Sequence, residues 1–185
     1  MVVGVPGVGK TTIVEKLSGA IRGSRIVTFG TVMLGEGKRL GWIKHRDELR
    51  KLPVEKQKQL QKLTATHIAG MKGKVLFVDT HLFIRTGEGF WPGLPFEVVR
   101  ALKPSHLILV EADPREILAR RLHDKTRYRD DVNLKELQAE LSLARSFLTV
   151  SSTLTGAPML IASNKNGKSG EVARKLAKML VEAAR

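Results

Sequence analysis

Eight residues near the start of the chain constrain it more than any others: Gly4-Val5-Pro6-Gly7-Val8-Gly9-Lys10-Thr11. Glycine admits backbone conformations that a side chain forbids, so successive main-chain N–H groups in such a loop can turn toward one point. A helix beginning just after it would add its positive end. The stretch satisfies the pattern G-x-x-x-x-G-K-[ST] at every fixed position. That pattern is a cradle for a polyphosphate. Lys10 reaches the β- and γ-phosphates, and the Thr11 hydroxyl is suited to ligate Mg²⁺. The plainer alternative is a glycine-rich turn that only caps a helix, and the flanking sequence decides between them.

A phosphate loop needs a strand before it and a helix after it. On the helix side, Thr11 to Arg22 places Ile13, Leu17, Ala20 and Ile21 at helical spacing, and Gly23 supplies a stop. On the strand side only Met1-Val2-Val3 precedes Gly4. Strands usually run about five or six residues. The start therefore reads as a clipped first strand, with residues missing upstream or the beginning assigned late.

Further strands follow at Arg25 to Phe29, Val75 to Asp79, His106 to Glu111 and Met159 to Ala162. Their apolar runs are continuous rather than alternating, as in a parallel sheet covered on both faces. Helices are expected near 54–71, 114–123, 133–154 and 169–184, and Pro114 suits a first helical turn. The order predicts an α/β fold of the P-loop NTPase kind. It has a doubly wound, mostly parallel five-stranded sheet with helices on both faces and right-handed crossovers. A single domain spans 1–185, with its core in 1–29, 72–123 and 133–185. Two segments break the rhythm: a mostly helical insertion over 30–71 and a charged stretch over 124–132, Asp124-Lys125-Thr126-Arg127-Tyr128-Arg129-Asp130-Asp131-Val132. Both are candidates for mobile parts placed over a site.

Composition removes several classes of chemistry. The 185 residues contain no cysteine, which excludes disulfides, thiolate catalysis and cysteine-based zinc sites. The five histidines show no metal-ligand spacing. No apolar run approaches the roughly 18 residues a membrane span needs. No signal peptide is visible, and the expected location is the cytoplasm. The net charge is +14. Clustered arginines for phosphate, a nucleic-acid surface and a solvated basic exterior all fit that charge.

The placement of particular residues narrows the choice. Asp79 ends a strand, and ligands of open α/β sheets sit at the carboxyl ends of strands. A carboxylate there suits a direct or water-mediated Mg²⁺ ligand opposite Thr11; the simpler role is a helix cap. His81 follows closely and either meets a phosphate or organises the loop. Arg46 and Arg50 lie in the insertion, Arg85 after the third strand, and Arg120, Arg121, Arg127 and Arg129 in or beside the charged stretch. Transfer between two nucleotides crowds many negative oxygens together. At about 4 Å and an effective dielectric near 20, each unit pair is worth about 4 kcal/mol. Several arginines are needed to offset that repulsion. No Ser-His-Asp set or carboxylate pair asks to be read as a nucleophile or general acid, which suits phosphoryl transfer.

Taken together these residues resemble the archaeal-type adenylate kinases, over essentially the whole chain. Gly4 to Thr12 looks like the family's nucleotide loop, and Phe29-Gly30-Thr31-Val32-Met33 like the opening of its AMP-binding region. Arg46-Asp47-Glu48-Leu49-Arg50-Lys51-Leu52 is similar to its R-D-x-x-R-K-L motif. Val78-Asp79-Thr80-His81 and Pro92-Gly93-Leu94-Pro95 recur in order. Asp124 to Asp130 resembles its short lid, and Asn164-Lys165-Asn166 its late loop near the ATP base.

The resemblance implies Mg²⁺-dependent transfer, ATP + AMP ⇌ 2 ADP. ATP would lie on Gly4, Val5, Pro6, Gly7, Val8, Gly9, Lys10, Thr11 and Thr12, with Asn164 near the base. AMP would sit against Thr31, Met33, Arg50 and Arg85. Lys10, Arg120, Arg127 and Arg129 would act on the transferring phosphoryl group, and Thr11 and Asp79 on the metal. Some family members are trimers, so a homo-oligomer is a further expectation. The rival readings are a kinase for another nucleoside monophosphate or small metabolite, and a basic nucleotide-dependent RNA or ribosome-assembly factor with a kinase-like fold. The latter rests on charge alone, and an aromatic content of 5% leaves few stacking platforms.

Overall fold

Strand and helix alternate along the chain in a computed structural model that describes residues 1–86, 89–123 and 133–183. The elements are β1 (Val2–Val3), α1 (Lys10–Ala20), β2 (Ser24–Thr28), α2 (Phe29–Arg39), a 3₁₀ helix (Arg46–Lys51), α3 (Val54–Ala69) and β3 (Val75–Asp79). They continue with β4 (Phe83–Thr86), β5 (Gly89–Pro92), α4 (Phe96–Leu102), β6 (Leu107–Glu111), α5 (Pro114–His123), α6 (Leu134–Thr155), β7 (Met159–Ser163) and α7 (Ser169–Ala183). Five strands form one sheet in the order β2-β3-β1-β6-β7, and every pairing in it is parallel.

The shortest strand is the central one. Val2 stands opposite Asp79 on one side and Ile108 on the other, and Val3 opposite Leu109. Bonds just beyond the strand lengthen the ladder: Thr80 N donates to Val2 O at 3.1 Å and Ile108 N to Met1 O at 2.9 Å. Val2 and Val3 are wholly buried among Ile13, Leu17, Leu107, Leu109 and Ile117. The inner strands β1, β3 and β6 thus have the double-sided cover their composition predicted, whereas the edge strands β2 and β7 leave Ile26, Met159 and Ile161 exposed. Helices α1 and α7 pack together, as do α4 and α6, covering both faces of the sheet.

Two local features depart from the sequence expectation. Phe29 heads α2 rather than closing β2, because pairing with β3 stops at Thr28 opposite Asp79. The segment after β3 contains an antiparallel hairpin, with Phe83 opposite Pro92 and Arg85 opposite Phe90. Phe83 anchors it, with ring centroids 5.0 Å from Phe90 and 5.6 Å from Phe147 on α6. At the base of the hairpin a side chain on Gly93 would lie 2.2 Å from the His81 carbonyl, so only glycine lets the two strands' flanks close.

The insertion is helical, as expected. Helix α2 survives three glycines, each worth about 1 kcal/mol against it relative to alanine. Packing explains this at Gly37, where a Cβ would lie 2.6 Å from Ile43 Cδ1. Glu36 adds a polar tie: it accepts from Arg39 Nε at 2.9 Å and meets His67 Nδ1 on α3 at 2.6 Å. The bond to His67, then that to Arg39, hold the Glu36 carboxyl below its ordinary range. The charged stretch 124–132, with Arg127 and Arg129, lies outside the described residues. Among the described residues no helix is long and apolar enough to cross a membrane.

Candidate active site

The loop between β1 and α1 is shaped by three glycines with separate reasons. Gly4 passes so close to β6 that a Cβ would sit 2.6 Å from the Val110 carbonyl. Gly7 (φ +92) and Gly9 (φ +81) take left-handed conformations that disfavour side chains. A Cβ on Gly9 would also lie 2.4 Å from Asn164 Nδ2. Between them Val5 and Val8 are buried and root the loop in the core, while Pro6 is exposed. No side chain caps the head of α1, so its first-turn N–H groups remain available to an anion.

The outward side of this loop is held by three side chains. Asn164 Nδ2 donates to Val8 O at 2.8 Å, and Arg120 Nη1 donates to the same oxygen at 3.1 Å. Arg121 Nε and Nη2 both donate to Pro6 O, at 3.0 and 2.8 Å. In a trans peptide the carbonyl and the following N–H point in opposite directions. Fixing the Pro6 and Val8 carbonyls outward therefore aims the Gly7 and Gly9 N–H groups inward. The protein's own side chains thus fix the orientation of these two peptide groups.

Lys10 and Asp79 face each other in the interior of the site. Lys10 is 8% exposed and its Nζ donates to Asp79 Oδ1. Asp79 is 6% exposed, at the carboxyl end of β3 beside the loop. Thr11 and Thr12 are exposed at the head of α1. The site residues predicted on the loop, Asp79 and Asn164 are thus assembled in one place by β1, β3, α1 and the turn after β7.

Arg120 is engaged more heavily than a free phosphate clamp. Besides Val8 O, it donates to Asn164 O (3.0 Å), to Asn166 Oδ1 through Nη2 (2.6 Å) and Nε (3.0 Å), and to Glu116 (2.9 Å). It stitches the phosphate loop to the Asn164–Asn166 turn. Beside it lies a groove of about 210 Å³ lined by Gly9, Thr12, Arg120, Asn164 and Asn166. Asn164 Oδ1 is buried there without a hydrogen-bond partner among the described residues.

The remaining candidates are more dispersed. Thr31 is exposed and Met33 half-buried on α2, which leaves the sheet where β2 ends beside Asp79. Arg50 is exposed on the 3₁₀ helix. The Arg46 guanidinium lies 3.1 Å from where a Gly30 Cβ would be. Arg85 points to α6, pairing with Glu136 at 3.5 Å and Glu140 at 3.4 Å. Arg127 and Arg129 fall outside the described residues.

Sequence reasoning missed the acidic partners. Glu140 is buried between Arg85 and Arg121. Glu111, at the end of β6, accepts from Arg145 Nε and Nη2, both at 2.7 Å, and holds that guanidinium above its ordinary value. Arg120 and Arg121, neighbours on α5, both meet the loop, at the Val8 and Pro6 carbonyls, and nothing in the sequence marked either as a brace. Among the described residues no group of three His, Cys, Asp or Glu side chains is placed to hold a metal by itself.

Comparison with known proteins follows the same lines. A family model described as an AAA domain matches residues 3–138. The adenylate kinase of Methanocaldococcus jannaschii is 42% identical over 171 residues, 90% of this chain and 89% of that protein. That of Methanopyrus kandleri is 40% identical over 174 residues, covering 92% and 91%. That of Thermoplasma acidophilum is 38% identical over 180 residues, 97% of each. Among solved structures, the shikimate kinase from Acinetobacter baumannii in complex with shikimate has a TM-score of 0.64 at 15% identity, covering 98% of this chain and 92% of that one. At that identity the likeness shows the fold alone.

Proposed function

Because the chain belongs to the adenylate kinase family represented in these archaea, we propose that Gly4–Thr12 holds the phosphates of ATP while the α2 side of the site receives AMP. The chain is a phosphotransferase, and its reaction is ATP + AMP ⇌ 2 ADP. An AMP phosphate oxygen forms the new P–O bond as the bond between the γ-phosphorus and the β-bridging oxygen of ATP breaks.

The observation that carries the assignment of ATP is the braced loop. Holding the Pro6 and Val8 carbonyls outward costs the protein its reorganisation during folding rather than during reaction, so the inward N–H groups meet developing charge already aligned. Lys10 reaches the β- and γ-phosphates from its place opposite Asp79. The groove beside Arg120 takes the adenine. Arg120 acts in this reading by keeping loop and groove in register.

Magnesium fits the donor set. The Thr11 hydroxyl and the Asp79 carboxylate are hard oxygen donors, and Mg²⁺ is usually held by one or two protein oxygens together with phosphates and water. When bound, the ion neutralises charge on the β- and γ-oxygens. On the acceptor side Thr31, Met33 and Arg50 hold AMP, with Arg85 at the edge. Arg127 and Arg129, which lie outside the described residues, act on the transferring phosphoryl group in this reading.

A coupled assay of ADP formation, with AMP present and omitted, tests this reading, and a panel of AMP, CMP and UMP tests the base. Rapid ADP formation that requires AMP is expected. Preferred phosphorylation of CMP or UMP, with AMP inert, would reassign the acceptor.

A further inference from the structure

The loop brace itself depends on a carboxylate that lies apart from the reacting groups. Arg121 runs along the outer wall of the phosphate loop: its Cγ and Nε would lie 3.1 and 3.3 Å from a Cβ on Gly7. Its side chain is only 10% exposed, and its two bonds to Pro6 O leave its charge uncompensated. A nearly buried guanidinium requires a nearby anion. Glu140 supplies it from α6, with Arg121 Nη2 to Glu140 Oε2 at 3.4 Å. The other oxygen, Oε1, faces Arg85 Nη1 of the hairpin, also at 3.4 Å. Glu140 is itself 4% exposed.

We propose that Glu140 is a positioning residue for phosphoryl transfer: it holds Arg121 against the Pro6 carbonyl and thereby keeps the Gly7 N–H aimed at the donor phosphates. Its second bond ties the β4–β5 hairpin to the same point. Three parts of the chain then share one carboxylate: the loop through Arg121, the hairpin through Arg85, and α6, which carries Glu140. Helices α5 and α6 flank the 124–132 stretch, so the carboxylate also joins the two helices on either side of it. Glu140 touches no substrate in this account and acts through Arg121.

The inference rests on the loop being the ATP site. The test is steady-state kinetics with ATP and AMP varied separately, thermal unfolding in parallel, on the unsubstituted chain, Glu140→Gln, Arg121→Lys and the double variant. Glu140→Gln keeps the volume and removes the charge. It is expected to lower kcat/KM for ATP about tenfold or more at temperatures well below its unfolding, and the loss is expected to be non-additive with Arg121→Lys. Glu140→Asp, which restores the charge on a shorter stem, recovers part of it. A lowered unfolding temperature with kcat/KM unchanged for both substrates would make Glu140 a packing residue only and overturn the proposal. So would strictly additive losses. If Glu140→Gln does not fold, Glu140→Asp and Arg121→Lys carry the test, and unchanged KM for ATP in both overturns it. Absence of AMP-dependent transfer in the unsubstituted chain would instead defeat the underlying function, so the two failures are distinguishable.

Discussion

The two sides of the site are built differently. On the side proposed for ATP, loop backbone, Lys10, Asp79 and Asn164 are anchored in the core and cross-braced by side chains drawn from α5, β3 and the turn after β7. On the side proposed for AMP, Thr31 and Arg50 are exposed on an insertion whose own helices α2 and α3 are tied by Glu36 and His67, and which meets the rest through α3, packed on α4 with Gln61 Nε2 donating to Pro92 O at 3.2 Å. The difference separates two tasks. A polyphosphate is best met by donors already aligned, and the bracing of that side serves this. The acceptor side has to admit and release a second nucleotide, and weakly anchored elements are those that move. Substitutions on the ATP side should therefore damage stability and turnover together, while those on the AMP side should separate them.

The largest effect is expected from Lys10→Ala. It removes a phosphate ligand and leaves Asp79 buried without its cation. Turnover should fall about a thousandfold or more, and stability by about 3 kcal/mol, measured by coupled ADP assay and denaturant unfolding of a chain that still folds. Near-normal turnover would remove Lys10 from the chemistry. Gly9→Ala comes next. It forces a side chain into a left-handed position, at about 1–2 kcal/mol, and toward Asn164 Nδ2. KM for ATP should rise about tenfold or more, with KM for AMP little changed; equal effects on both substrates would blur the division between the sides.

Arg50→Ala probes the exposed side. It should raise KM for AMP by about tenfold, the worth of one charge-assisted hydrogen bond. The unfolding temperature and KM for ATP should stay where they were. A drop in unfolding temperature would show Arg50 to be structural. The smallest effect belongs to Glu36→Gln. Since the folded state lowers the Glu36 pKa, its contribution is present above the ordinary carboxylate range and is lost as pH falls through the lowered value. The unfolding-temperature difference from the unsubstituted chain should be greatest near neutrality and shrink in acid. A difference independent of pH would assign the effect to packing.

Much of the rigid side was legible in the amino-acid sequence, and for a physical reason. Gly4 to Thr11 concentrates its constraint in adjacent residues, and continuous apolar strands announce a covered parallel sheet. Asp79 was legible because it ends such a strand. The braces were not: Arg121 meets Glu140 across 19 positions, Arg145 meets Glu111 across 34, and Arg85 meets Glu140 across 55. No periodicity marks such pairs; they exist only once the sheet has set the helices side by side. The hairpin escaped for a similar reason, since the need for glycine at Gly93 comes from the His81 carbonyl across its base. Strand order and the central place of Val2–Val3 likewise emerge from packing, not from local pattern.

The most direct test of the account is ADP formation from ATP by the purified chain, with AMP present and with AMP omitted, under identical magnesium. The account predicts two ADP for each ATP consumed when AMP is present and negligible ADP without it. ADP formed at the same rate without AMP would mark an ATPase and contradict the assignment of a second nucleotide to the α2 side.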